Sequence, residues 1–368
     1  MASNQPASKP PVLAGTMVVL ALIVALFAAD FSLAKVERTE LQNQSQVLFQ
    51  QGQALMKQGK PERALESFRQ AHAMERRNPE YQLALVDALL ATRKLDQASD
   101  LLHDLLQSNP NGGEANLMMA RLLVKESKDD EAEAYYHRAI YGAWGNDAAN
   151  HRLQARLELV ALLASQGDRV DLLAELLPLE NEVTDAATET KIAQLYLTAG
   201  SPARAAGVYR SLLRDNPNDP KTLTGLGQTE LALGDYHAAM NAFVNAYRAN
   251  PADVSARANI ELSSAVTALD PMPRRLSSAE KFERSNRLLD LARSAMQNCA
   301  ATHGLATSDD LGKADVMLAQ PPKAVTNETS EERLGLAEQL WKDRLTSCGS
   351  AVTAQERPLK LIMDKLSR

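Results

Sequence analysis

An all-α solenoid of antiparallel helix hairpins is the fold class this sequence predicts, and three observations carry the prediction. A small–large–small residue pattern recurs at a 34-residue interval. Glycines precede that pattern at a fixed offset, and Asn-Pro pairs follow it. Aromatic residues are only 4% while Ala and Leu are frequent, which favours helix over a β-sandwich or barrel. With 368 residues the chain exceeds what one small core organises, so an elongated array or several domains is expected.

Residues 1–11 read as a short tail. Val12–Ala29 carries no charge and, apart from Thr16, no strongly polar side chain. As a helix it spans about 27 Å, close to the roughly 30 Å hydrocarbon core, so one N-terminal transmembrane helix in contact with the lipid bilayer is expected. A cleaved signal has a shorter apolar stretch, about 7–15 residues. The small residues of Ser32-Leu33-Ala34 nevertheless leave cleavage after Ala34 open. Lys9 lies on one side of the span and Lys35 and Arg38 on the other, so charge does not set the orientation. By analogy with short-tailed anchored domains, the bulk of the chain is expected on the periplasmic side of the inner membrane. Residues 30–44 read as a linker.

The periodic part begins there. Ala64, Ala98 and Ala132 stand 34 residues apart, and Ala205 and Ala239 repeat the interval. Four residues after each comes a large side chain: Phe68, Leu102, Tyr136, Tyr209 and Phe243. Three further on stand Ala71, Leu105, Ala139, Leu212 and Ala246. Such offsets share one helical face, and small residues there let a preceding helix approach closely. Gly59, Gly167, Gly200 and Gly234 mark the turn inside each hairpin, and Gly52 and Gly227 mark close packing. Asn-Pro at 78–79, 109–110, 216–217 and 250–251 closes units, because proline cannot continue a helix. One hairpin cannot bury its apolar face alone, whereas stacked hairpins can.

With this pattern the chain resembles the tetratricopeptide repeat family, and the bacterial envelope scaffolds within it. The resemblance implies a right-handed superhelix of about six to seven repeats. Strong units are Ser45–Asn78, Pro79–Gly112, Gly113–Asn146, Ala186–Asp219 and Pro220–Asp253. The expected organisation is repeats 1–3 over 45–146 and a degenerate repeat over 147–185. Repeats 5–6 and the first helix of a seventh follow over 186–269, and a helical C-terminal cap over 270–368. In the degenerate unit Leu172 replaces the small residue, Pro178 is expected to interrupt the second helix, and an insertion near Gly142–Asn150 shifts the phase. A bend or altered packing is expected there. In the cap, helices are expected over Ser278–Ala301, Thr329–Thr346 and Pro358–Leu366, with a looser stretch up to Asn327.

No chemistry-bearing motif stands out. The histidines are scattered, without metal-ligand spacing, and read as solvated surface residues. Asp129-Asp130-Glu131 suits the positive end of a helix dipole, and Gly225-Leu226-Gly227 lacks the strand before it that a dinucleotide loop needs. Net charge is −6 with no basic stripe, which argues against nucleic acid as a partner. No metal, cofactor or catalytic residue is expected. Cys299 and Cys348 both lie in the cap: either they form a disulfide tying two capping helices, or they are two unrelated buried thiols.

Within the family, the first helix of each hairpin lines a binding groove. Carried over position by position, the groove residues here are Phe49, Gln53, Met56 and Lys57, then Leu83, Asp87 and Leu90, then Leu117, Arg121 and Lys125. Later units add Thr190, Gln194 and Leu197, then Thr224, Gln228 and Leu231. Phe49 and Gln53 stand where a carboxylate-clamping member would carry Lys and Asn. The mix of apolar anchors and scattered charge suits an extended peptide or an amphipathic helix of a partner protein. The expected function is a non-catalytic, membrane-anchored interaction scaffold in the assembly or biogenesis of envelope complexes. An accessory subunit of an enzyme complex and a self-associating structural protein are the alternatives.

Overall fold

The computed structural model describes residues 12–367 apart from 307 and 321, with side chains at 12–19 and 24 left out. Every regular element among the described residues is helical; the extended pairing seen there is an isolated bridge between Gly112 and Ala143. The chain divides into two compact units, Met1–Leu162 and Leu163–Arg368.

The first unit opens with one long helix, α1 (Val12–Lys57). The expected linker over 30–44 is therefore helical: this stretch holds no Gly or Pro and is rich in helix formers such as Lys35, Glu37, Arg38, Glu40 and Leu41. The expected membrane span over 12–29 lies partly outside the described side chains. Among the described residues no helix is long and apolar enough to cross a membrane. Leu20, Leu22, Ile23, Leu26 and Phe27 on α1 are all exposed.

After α1 come α2 (Pro61–Met74), α3 (Pro79–Ala91), α4 (Leu95–Ser108), α5 (Gly113–Lys125), α6 (Asp129–Tyr141) and α7 (Ala148–Gln166). α1 pairs with α2, α3 with α4 and α5 with α6, each hairpin also packing on the next. The repeat pattern supplies the contacts. Ala64, Ala98 and Ala132 are wholly buried, and Phe68 and Leu102 are at most 2% exposed. Each fully buried residue of this size contributes roughly 1.5–3 kcal/mol. At Gly52 a Cβ would stand 2.5 Å from the ring of Phe68, so only glycine lets the two helices meet there. The Asn78-Pro79 pair both ends and starts: Asn78 Oδ1 accepts from the Glu80 amide at 3.1 Å, and Pro79 opens α3 where its missing N–H costs nothing.

The insertion after α6 has a physical role. Gly113 donates to the Ala143 carbonyl and Ala143 to the Asn111 carbonyl, both at 2.8 Å. Trp144 covers Gly113, its indole Nε1 donating to the Ala139 carbonyl at 2.8 Å, and His151 of α7 stacks on its ring at 4.8 Å. His151 is thus a packing residue, and His72 has a buried Nδ1; both depart from the expectation of solvated histidines.

The second unit holds α8 (Arg169–Glu182), α9 (Ala186–Thr198), α10 (Pro202–Asp215), α11 (Pro220–Leu233), α12 (Tyr236–Ala249) and α13 (Val254–Leu269). Pro178 does not end its helix: α8 runs through it to Glu182, with Leu172, Leu176 and Leu179 buried along one face. Apolar burial there outweighs the hydrogen bond that proline removes. α9–α10 and α11–α12 are paired hairpins, with Ala205, Tyr209, Ala239, Phe243 and Ala246 all at most 1% exposed. Gly227 lies under Phe243 as Gly52 lies under Phe68. Gly234 turns α11 into α12 at φ 79°.

The rest of the chain is α14 (Ser278–His303), α15 (Asp309–Ala319), α16 (Asn327–Cys348) and α17 (Arg357–Leu366). Ser277 and Glu280 form the capping box of α14, the Glu280 carboxylate accepting from the Ser277 amide at 2.8 Å. α15 occupies a stretch expected to be loose; Ser308 caps it, and it buries Leu311 and Ala314. α14 and α16 form the principal pair, joined by a disulfide between Cys299 and Cys348 with Cα atoms 6.1 Å apart. Buried Arg333 of α16 reaches both neighbours, donating to Asn286 Oδ1 at 2.9 Å and to the Met317 carbonyl at 3.1 Å.

Candidate partner-binding groove

In the first unit, α1, α3 and α5 are the first helices of successive hairpins, and α1–α3 and α3–α5 touch side by side. Of the expected groove residues, Gln53, Lys57, Asp87 and Lys125 are exposed, and Met56, Leu83 and Arg121 are half-buried. Phe49 and Leu117 are not available to a partner. Phe49 is 3% exposed, its ring 4.9 Å from Tyr81 and 5.8 Å from Phe68; Leu117 is 4% exposed. The resemblance points both side chains at the groove, but in this chain they fill the space between neighbouring hairpins.

Asp87, Arg121 and Lys125 converge on one open cavity of about 330 Å³, which Leu90, Ala91, Val124 and Tyr136 also line. Leu90, 4% exposed, is part of its floor and offers no free side chain. On its far side Arg121 makes a bidentate pair with Glu158 of α7, Nε donating to Oε2 at 2.8 Å and Nη2 to Oε1 at 2.6 Å. Tyr136 OH donates to the same carboxylate at 3.4 Å. The fork geometry fixes Arg121 in place. Burial in the cavity walls raises the pKa of Asp87 although its side chain reaches solvent, and the Arg121 charge opposes that rise. Glu114, two turns before Arg121, is likewise raised by burial, with Glu80 and Asp87 adding to it and His151 and Arg121 opposing. Burial also holds the Tyr136 hydroxyl well above its ordinary value. Glu158 did not emerge from the sequence, because the insertion before α7 hides the register that would align it, and Tyr136 emerged only as a packing residue of the repeat.

In the second unit the corresponding residues lie on α9 and α11, which also touch. Gln194 and Gln228 are exposed; Thr190, Leu197, Thr224 and Leu231 are half-buried. Thr190 donates its hydroxyl to the Ala186 carbonyl at 2.7 Å and Thr224 to Pro220 at 2.8 Å, so each hydroxyl is committed to its own helix. Leu231 packs against the C-terminal hydrophobic cluster and is covered there.

Tetratricopeptide-repeat models match residues 55–122 and 190–257, one stretch in each unit. Among solved structures, that of pilF of Pseudomonas aeruginosa is 13% identical, with a TM-score of 0.44, covering 62% of this chain and 99% of its own. PilW, described as a widely conserved type IV pilus biogenesis factor, is 18% identical with a TM-score of 0.42, covering 59% and 96%. The C-terminal part of a repeat protein from Cytophaga hutchinsonii is 12% identical with a TM-score of 0.45, covering 85% and 99%. Comparison with curated protein sequences returns no match.

Proposed function

We propose that the chain is a non-catalytic, membrane-anchored scaffold that holds an extended peptide or amphipathic helix of a partner protein against its first-helix faces. The observation carrying this reading is the cavity of about 330 Å³ in the first unit, where an apolar floor meets Asp87 and Lys125. Neither charge sits in the packed core, so both are free to meet an incoming chain. Gln53, Lys57, Gln194 and Gln228 extend the same kind of surface in each unit. The anchor rests on the uncharged stretch 12–29 and on the exposure of Leu20, Leu22, Leu26 and Phe27. In this reading the scaffold sits at the inner membrane with its repeats on the periplasmic side, in an envelope assembly; the side follows from analogy with short-tailed anchored domains.

Proximity labelling from the full chain in its native membrane tests the reading. Reproducible labelling of a small set of polypeptides, lost when Asp87→Arg and Lys125→Glu are combined, supports it; labelling unaffected by that pair counts against it. Extraction with alkaline carbonate tests the anchor, since an anchored chain stays with the membrane pellet. A second reading, self-association, is favoured by Leu33, Val36, Leu41 and Val47, which are exposed on α1 beyond the span. A monomeric mass for the detergent-solubilised chain would reject it.

A further inference from the structure

The chain's own last helix covers part of the first-helix face in the second unit. By the 34-residue register Leu231 of α11 is equivalent to Leu197, and Leu262 of α13 to Gln228. Both leucines pack against the C-terminal cluster, to which α17 contributes Leu359, Ile362 and Met363. α17 touches α11, α13 and α14. Polar contacts hold its far end: Tyr236 OH donates to the Leu361 carbonyl at 2.9 Å, and Lys365 Nζ donates to the Gly234 carbonyl at 3.0 Å. Lys365 also pairs at 2.7 Å with Asp270, a carboxylate 3% exposed.

The near end of α17 is tied to the disulfide. Cys348 is the last residue of α16, and Gly349 turns the chain at φ 80°. One turn before Cys348, Arg344 donates to both oxygens of Glu356 at 3.0 Å and to the Gly349 carbonyl at 2.7 Å. Glu356 is the N-cap residue of α17, so the segment leading into that helix hangs on the end of α16. The disulfide pins that end to α14. An open cavity of about 290 Å³ reaches both cysteines, with Asn298, Thr302, His303 and Glu356 among its walls. Both cysteines line that cavity, and Cys348 is half-buried whereas Cys299 is 6% exposed, so the Cys348 end is the more open end of the bridge.

We propose that Cys299–Cys348 is a redox latch: it holds α17 over the downstream end of the groove, and a dithiol reductant releases it. One thiolate of the dithiol attacks Cys348 Sγ, and Cys299 leaves as a thiolate that takes a proton. The second thiol of the reductant then displaces Cys348 from the mixed disulfide. Two electrons have passed, the dithiol departs as a disulfide, and both cysteines are thiols. With the end of α16 unpinned, α17 lifts and exposes Leu231 and Leu262 to a partner helix. This rests on reading the first-helix faces as the groove.

Hydrogen–deuterium exchange on the full chain tests the latch without needing a partner. Three samples are compared: oxidised, reduced with dithiothreitol, and carrying Cys299→Ser with Cys348→Ser. The expected result is a loss of protection of about tenfold or more over 357–366, shared by 228–234 and 258–266, in both the reduced and the serine samples. Protection in the middle of α14 and α16 stays within about twofold. Unchanged exchange over 357–366 in a chain shown by mass to be reduced overturns the proposal. So does a uniform loss across α14, α16 and α17, which is unfolding, and so does release of α17 with 228–234 still protected. Because the readout is in the chain itself, these failures are distinct from a failure to label a partner.

Discussion

At Arg93 and Ser127 a side chain occupies a backbone position that other units give to glycine. Both have positive φ, 56° and 60°, and both stand five residues before the small residue of their repeat, as do Gly59, Gly200 and Gly234. A left-handed residue with a Cβ is strained, so Arg93→Gly and Ser127→Gly are each expected to raise stability by about 0.5–1 kcal/mol in urea titration. Asp87 gives a second test at this scale. Burial raises its folded pKa above the ordinary 3.8. Between the unfolded and folded values the folded chain binds more protons, so stability falls as pH rises through that window. Asp87→Asn is therefore expected to be more stable than the parent near neutral pH, with the difference closing in acid. An equal difference at pH 4 and pH 7 would contradict the assigned cause.

Helix α8 carries the clearest conflict between local preference and packing. Pro178 removes one backbone donor inside the helix, leaving the Ala174 carbonyl without its usual partner, yet the buried leucines keep the segment helical. Pro178→Ala is expected to stabilise the second unit by about 1–3 kcal/mol, read as a rise in its melting transition. No change would mean that the ring's own packing compensates for the lost hydrogen bond. The same element shows why proline alone is a poor stop signal when three apolar residues face a neighbouring helix. α15 shows the opposite failure: with Gly312 inside it and only two buried residues, its periodicity is too short to register without the structure.

For the whole molecule, the repeat spacing made α2 to α6 and α9 to α13 legible, because small–large–small offsets and hairpin glycines are packing requirements visible in one dimension. Helices α14, α16 and α17 were legible within a few residues without that grammar, whereas α15 and the helical continuation over 30–44 were not. Residues 30–44 have no apolar period, yet nothing in them breaks a helix, so α1 continues through. The candidate groove was legible in part. Gln53, Lys57, Asp87, Lys125, Gln194 and Gln228 reach solvent on first helices, whereas Phe49 and Leu117 are spent on the core and Leu231 lies under the C-terminal cluster. Family register assigns a face; burial decides which residues on that face are free. The Arg121–Glu158 pair needed the three-dimensional structure, since its two members lie on either side of the insertion.

The central claim is that a partner polypeptide lies against the first-helix faces. Site-specific photo-crosslinkers placed one at a time in the full chain, in its native membrane, test it most directly. The informative groove positions are Gln53, Lys125, Gln194 and Gln228, and the controls are Asp104 and Asn245, exposed on the second helices α4 and α12. The account predicts discrete adducts with a partner from the groove positions and none from the controls. Adducts of equal yield from Asp104 and Asn245, or from those two alone, would contradict it.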